Sequence, residues 1–511
     1  MKTNTFNGKQ VIVLILTGMI LFSGCKKDFL DRDPQGQYTQ DTYPYPGGSG
    51  PYDTYLFGIY SELRSFNVHS QSFIAATSIR SDDADKGSTP ADGGTNAISM
   101  DNFPVLPNNG FVNTIWVGYF SLINKANIAL DQVRNNKDIV ATPEVKAQSE
   151  AEARFLRAYA YFNLVRYFGR VPIVDSVFTN AAAQSNVAQN TPEQVYAFIE
   201  TDLIYAAANL PLSWEARFVG RITKGAANGL LAKVYLTQRK WAPAFAAAGQ
   251  VINSGVYDLS TSYDRIFREE GENSKESVFE VQATATAAIP SANGVQYAQI
   301  QGVRGSGAWD LGWGWNTPSV QLDAAYETGD PRKNRTILYT STATATFQSI
   351  YGEALPVGLP NPRYNNKVYS NPAIRASIGN RFGYWMNVRL LRYSDVVLMY
   401  AEAANETGNT AEALAKLEMV RARARAGNNT ILPAVTTTDQ ALLRDAIRRE
   451  RRVELAMEHD RFWDIVRWGI AQSVLHAAGK TNFSDARDVL LPIPQTQIDI
   501  SGGKLTQNPG Y

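Results

Sequence analysis

RDAIRRERRVELAMEHDRFWDIVRWG, residues Arg444–Gly469, is the stretch on which the reading of the whole chain turns. Its seven arginines (444, 448, 449, 451, 452, 461 and 467) stand against six acids (Asp445, Glu450, Glu454, Glu458, Asp460 and Asp464), a net charge of +1. Nucleic-acid affinity comes from uncompensated Lys and Arg that release counterions from phosphates. Here almost every cation has an acid within helical reach, Arg451 with Glu454 and Arg461 with Glu458 and Asp464. The spacing therefore predicts an ion-paired helix whose end is pinned to a core by Phe462, Trp463, Ile465 and Trp468. Glu450, Glu454 and Glu458 fall on one helix face, and paired carboxylates are what glycosidases use. A general acid needs a raised pKa, however, and adjacent arginines would keep these groups ionised, so they read as structural.

The chain has 511 residues, 44% hydrophobic, with a formal charge of +1, enough to bury a large core and with no global bias toward anionic partners such as nucleic acid. Aromatics make up 11% of it, which argues against disorder over most of its length. The single cysteine, Cys25, excludes intramolecular disulfides and any multi-cysteine metal site. It follows a cationic segment (Lys2, Lys9), an apolar run from Val11 to Phe22 and the small residues Ser23-Gly24. The run is shorter than the roughly 20 apolar residues a membrane-spanning helix needs, and a sole cysteine at a small-residue cleavage site resembles a bacterial lipoprotein signal. On that reading residues 1–24 are the signal peptide, Cys25 is the lipidated N-terminus, and 25–50, rich in Pro, Gly and polar residues, is a tether. One departure is Phe22 three positions before the cysteine, where lipoproteins favour Leu. Acyl chains burying CH₂ groups at about 0.8 kcal/mol each would hold the body on a membrane without a span.

Residues 51–511 read as one body. Ile115, Tyr119, Leu122, Ile123, Ala126 and Leu130 recur at helical steps within 113–134, and Phe155, Tyr159, Phe162 and Val165 do so within 144–168, where Gly169 and Pro172 end the helix. Ala232, Tyr235, Trp241, Ala244, Ala248 and Val251 have the spacing of a tetratricopeptide helix pair. Ala401, Ala404, Gly408, Thr410, Ala413, Leu417 and Val420 repeat it. The expectation is a mostly α fold: a helical scaffold over about 51–277 and 391–469, and an irregular, loop-rich region with short strands over about 278–390 (VFEVQATA, GYWMNVRLLRY). A tail over 470–511 should lie across the body in extended form, because LLPIPQTQIDISGGKLTQNPGY has too many Pro and Gly for a helix.

The signal ending in Cys25, AEARFLRAYAYFNLVRYFGRVPIV from Ala151, LRYSDVVLMYAEAAN from Leu391, ERRVELAMEHDRFWDIVRWG and the closing LPIP and QNPGY together resemble SusD/RagB-like lipoproteins over nearly the whole mature chain. That resemblance implies a SusD-like fold with tetratricopeptide-like helix pairs. It also implies an outer-membrane, surface-exposed lipoprotein that captures a nutrient, usually an oligosaccharide, and hands it to a TonB-dependent SusC-like transporter, with no catalysis and no cofactor. The rival reading is a surface glycan-processing enzyme such as a glycoside hydrolase; His69, His459 and His476 form no HExxH or HxH, so a zinc hydrolase has little support.

The best candidate for ligand contact is GSGAWDLGWGWN: in an extended conformation Trp309, Leu311, Trp313 and Trp315 share one face. Sugar rings present apolar C–H faces to indoles while their hydroxyls need polar partners; the alternative is that the stripe packs on the helical core. Two loops could supply the hydrogen bonds, SIRSDDADKG with Asp82 and Asp83, and DNFPVLPNNGF with Asn108 and Asn109. Asp83-x-Asp85-x-Gly87 lacks the spacing and terminal Glu of a calcium loop, so no metal is expected there.

Overall fold

Successive helices stack side by side, each hairpin burying one face on the next. In the computed structural model, which describes residues 50–511 except 179, 181, 182 and 184, the main helices are α1 (Asp53–Leu63), α2 (Gly110–Asn135), α3 (Pro143–Phe168), α4 (Pro192–Asn209), α5 (Lys224–Thr237), α6 (Trp241–Asn253), α7 (Tyr393–Glu406), α8 (Thr410–Arg425) and α9 (Gln440–Glu454), then the short α10 (Arg461–Arg467), α11 (Ala471–Ala477) and α12 (Gln495–Ile500). The expectations for the signal peptide, Cys25 and the tether lie outside the described residues. Each of α1 to α6 packs on its neighbour, and α6 packs on α7, which closes the gap of sequence between the two helical blocks. Local chemistry sets the ends. Asn109 caps α2, Thr142 caps α3 with Pro143 in its first turn, and Gly169 ends α3 at φ +68. Among the described residues no helix is long and apolar enough to cross a membrane.

The strands of the loop-rich region form two-stranded antiparallel pairs. β1 (Ala84–Gly87) pairs with β3 (Trp315–Pro318), β2 (Ser277–Val281) with β6 (Val388–Arg392), and β4 (Ile337–Tyr339) with β5 (Arg363–Asn365). The two β-like runs seen in the sequence are thus partners of one another, Val281 facing Val388. The tail departs from its extended reading. Pro494 sits at the N-cap of α12, where a missing N–H costs nothing, and Gly502 and Gly503 end the helix at positive φ. Its last residues are tied down by Asn508, whose side chain donates to the Phe168 and Leu491 carbonyls at 3.0 and 2.7 Å.

Arg444–Gly469 is two helices rather than one. α9 stops at Glu454, the chain turns through Met457 (φ +65) and His459 (φ +76), and α10 resumes at Arg461. Left-handed geometry costs roughly 1–2 kcal/mol per non-glycine residue, and it brings Glu458 round to the same charged cluster as Glu454. Their partners come from distant elements rather than from their own turn. Glu454 meets Arg332 and Arg392 at 3.1 Å and Arg423 at 2.5 Å; Glu458 meets Lys367 at 2.5 Å and Arg392 at 2.6 Å. Glu450 joins Arg332 to Arg421 at 2.6 and 2.7 Å, and Glu276 holds Arg392 and Arg423. A second cluster links Arg451 to Asp395 (2.7 Å) and Asp464 (3.2 Å), Lys233 to Asp395 (2.7 Å) and Asp460 (2.9 Å), and Arg467 to Glu402 (2.6 Å). One 26-residue stretch thereby clamps α5, α7, α8 and the loop-rich region together.

Burial pushes the Glu454 carboxyl up, but Arg423, Arg392 and Arg332 outweigh it and hold the group well below the usual carboxylate range. Glu458, Asp395, Glu402 and Asp464 are held low by their own cations in the same way. Glu454→Ala leaves Arg332, Arg392 and Arg423 short of a partner, the first two of them buried, and should destabilise the fold by about 3–5 kcal/mol, read as a lower denaturant midpoint; an unchanged midpoint would contradict the assignment. For carboxylates depressed in the folded state, stability is present above their unfolded pKa of about 4 and lost as pH falls below it. The unfolding temperature should therefore fall steeply below about pH 4, and Glu454→Gln, already weakened at neutral pH, should show a shallower decline.

Candidate functional site

The β1–β3 pair carries two loops at the same end, residues 88–93 following β1 and residues 302–314 preceding β3. The second folds tightly on itself. Leu311 N–H donates to the Val303 carbonyl at 2.9 Å, Trp313 N–H to Gln299 at 2.8 Å, and Gly314 N–H to Gly302 at 2.9 Å. A Cβ at Gly312 would lie 2.3 Å from the Gln299 carbonyl oxygen, so only glycine lets these backbones approach. The two loops are then joined. Arg304 pairs with Asp92 at 2.5 Å and donates to Ser88 Oγ at 2.9 Å, and Ser88 N–H donates to the Gly314 carbonyl at 2.6 Å. Lys86 stiffens the first loop from below, donating to the Thr89 and Asp92 carbonyls at 2.8 and 3.2 Å. On the far side Arg381 meets Asp310 at 2.7 Å and the Gly307 carbonyl at 3.0 Å.

The tryptophan stripe is divided by this folding. Trp315 is buried against Gly93, with Lys86 Nζ 5.7 Å from its ring and Phe111 at 6.2 Å. Leu311 is also buried, in a separate apolar cluster with Val303, Leu355 and Tyr364. Trp309 and Trp313 are half-buried, Trp309 against that smaller cluster and Trp313 against the main core, so neither side chain is fully enclosed. An aromatic face next to ion pairs whose geometry is already fixed can stack an apolar ring face and offer hydrogen bonds at low entropic cost.

The polar loop residues behave differently from expectation. Asp82 and Asp83 are buried, Asp82 meeting Arg461 and Arg452 at 2.8 Å and Asp83 meeting Arg452 at 2.7 Å. Asn109 is spent as a helix cap: its Oδ1 accepts from Phe111 N–H at 2.8 Å, and its Nδ2 donates to the Asn96 carbonyl and Ser99 Oγ at 3.0 Å. With Trp315, these three are consumed inside the fold, because a buried polar group must be satisfied by its neighbours and then has nothing left for a surface ligand. Asn108 is exposed, and with Trp309 and Trp313 it remains a candidate. Arg304, Asp92, Asp310 and Arg381 were missed by the sequence reading. An arginine in a Gly-Ser-rich loop with no acid at helical spacing was the available signal for Arg304, while its partner lies more than two hundred residues earlier.

The histidines are scattered. His69 Nε2 meets Tyr159 OH at 2.7 Å, His459 Nε2 meets Tyr297 OH at 2.8 Å, and His476 meets the Phe483 carbonyl at 2.8 Å. Burial pushes His69 down to about 4. Among the described residues no group of three or more His, Cys, Asp or Glu is placed to hold a metal ion.

Residues 275–511 match the SusD family, and residues 63–236 match a family described as starch-binding and associating with the outer membrane. The chain is 28% identical to the SusD-like protein P2 of Formosa agariphila, over 98% of each sequence. Its fold superposes on a laminarin binding SusD-like protein with a TM-score of 0.75 and 28% identity, covering 90% of this chain and 99% of that one. It also superposes on surface glycan-binding protein A from Bacteroides thetaiotaomicron, solved in complex with laminarihexaose, with a TM-score of 0.73 at 24% identity and coverage of 89% and 98%, a likeness of fold. The helical frame, the antiparallel strand pairs and both halves of the sequence point the same way: the chain belongs to the SusD/RagB family.

Proposed function

We propose that this protein is a cell-surface lipoprotein of the outer membrane that binds an oligosaccharide and delivers it to a TonB-dependent SusC-like transporter, without chemical change to the sugar. The observation that carries the binding step is the pair of half-exposed tryptophans, Trp309 and Trp313, on a loop held by the Arg304–Asp92 and Arg381–Asp310 ion pairs. Stacking on a pyranose face needs an indole that does not move. The glycine-to-backbone contacts under residues 302–314 provide that rigidity. Support for a carbohydrate ligand comes from the relatives, among them a laminarin binding SusD-like protein.

Against the enzymatic reading stand the carboxylates of α9 and the turn after it. Glu454, fully buried, and Glu458 are held ionised by arginines and lysine, whereas a general acid needs a raised pKa. Lipid anchoring rests on Cys25 and the apolar run before it, and the transporter partnership rests on membership of the family.

Titration calorimetry of the mature domain with laminarihexaose and a series of maltooligosaccharides should show binding, with the sugars recovered intact afterwards. Trp309→Ala and Trp313→Ala should each weaken that binding about tenfold, equivalent to about 1.4 kcal/mol, in protein that remains folded. Shortened sugars in the recovered sample would favour a hydrolase, and unaltered affinity in both variants would remove the tryptophans from the site. Cys25→Ala should abolish incorporation of labelled fatty acid and release the protein from the membrane fraction; a variant that still takes up the label would overturn the lipoprotein assignment.

A further inference from the structure

Two adjoining concavities lie away from the tryptophan rim, on either side of the loop that joins α4 to α5. They have volumes of about 370 and 210 Å³ and share Val219, Gly220, Arg221 and Glu280 as their common wall. Gly220 (φ +96) makes that wall possible: a Cβ there would lie 2.3 Å from the Gln282 side chain. Phe57 of α1 opens onto the larger concavity at 42% exposure, unusual for a phenylalanine of a packed helix, with Phe218 half-buried beside it. Trp214 lines the smaller one, where Leu212 and Val219 are also exposed.

The three rings surround one guanidinium. Arg221 lies 4.1 Å from the Trp214 ring, 5.4 Å from Phe57 and 6.0 Å from Phe218. It is locked from beneath by Glu152 at 2.6 Å and Asp53 at 3.2 Å. Tyr60 OH donates to Glu152 at 2.6 Å and accepts from Ile222 N–H at 2.9 Å, while Trp214 Nε1–H donates to the Ile222 carbonyl at 2.9 Å. Arg221 and Trp214 are therefore fixed before any ligand arrives, which lowers the ordering cost of binding beside them. Gln282 and Arg64 among the lining residues bring hydrogen-bonding side chains to the same space.

We infer that this double groove is a second carbohydrate-binding site, taking neutral pyranose units that stack on Phe57 and Phe218 and hydrogen-bond at its polar rim. Arg221 is already paired with Glu152 and Asp53 and Arg217 with Glu215 at 3.1 Å, so the hydrogen bonds left for a neutral ligand come from the rim, Arg64 and Gln282 among them. The larger concavity, about 370 Å³, falls at the lower end of the roughly 300–1,000 Å³ of small-molecule sites, and rings flanked by polar groups suit a ligand with alternating apolar faces and hydroxyls. The site shares none of its lining with Trp309 or Trp313 and goes beyond the proposed function, which supplies only the choice of probe.

The test uses the mature chain labelled with fluorophenylalanine, with Phe57→Leu and Phe218→Leu variants to assign the two ring resonances by fluorine NMR. Methyl glycosides of glucose, galactose, mannose and xylose, and laminarihexaose, are each titrated in. The Phe57 resonance should move saturably with at least one of them, and should do so equally in the Trp309→Ala/Trp313→Ala protein. Resonances that stay still for every sugar, that drift linearly without saturating, or whose movement disappears in the tryptophan variant overturn the inference. A silent Phe57 alongside calorimetric binding that depends on the tryptophans defeats this site alone. A saturable Phe57 shift with calorimetry indifferent to the tryptophans defeats the proposed rim alone.

Discussion

Glu454 is fully buried, and a carboxylate without water is tolerable only if cations surround it. Arg332, Arg392 and Arg423 do so, and each comes from a different part of the chain: the loop-rich region, strand β6 and helix α8. Because Arg332 and Arg392 are also buried, neither can leave without stranding charge on both sides. The helical layer and the irregular region are thus held in register by electrostatics in a low-dielectric interior, where geometry is enforced more strictly than apolar contact would enforce it. The second cluster around Arg451 does the same for α5 and α7. Whether two such clusters add net stability over an apolar core is a separate matter from what they specify, a single arrangement of elements far apart in sequence.

Much of this was legible in the sequence where the information is local. The long helices α2 and α3 declare themselves through apolar residues at helical steps, whereas Asn109, which caps α2, reads in the sequence as a ligand-contact residue. The runs VFEV and VRLLR likewise read as strands, but that they pair with each other is not local information. The balance of Arg and acid in Arg444–Gly469 indicates pairing within the stretch and with neighbouring helices, and Arg421 and Arg423 are such partners, but sequence shows i and i+4 and not Arg332 or Lys367 arriving from the loop-rich region. The break after Glu454 was invisible for a related reason: Met457 and His459 are ordinary helix residues forced into left-handed geometry by tertiary contacts.

The candidate site was less legible than the fold. A period-two stripe of tryptophans assumes an extended segment, and the glycines that space them instead allow the chain to double back, sending Trp315 and Leu311 inward and leaving Trp309 and Trp313 half exposed. Asp82 and Asp83 looked like loop acids because their partners, Arg452 and Arg461, stand nearly four hundred residues later. Recognition groups and structural groups have the same composition in such loops, and only the distances separate them.

Ser88 and Arg304, which join the two loops of the rim, belong to opposite halves of the chain, as do the paired strands β1 and β3 beneath them. The closure entropy of so long an intervening segment is recovered only once the helices between are packed. The rim is accordingly among the last surfaces to exist. A chain emerging from synthesis, or one stalled with its second half unfolded, has both loops but nothing to join them, so the rim exists only in molecules whose two halves have packed together.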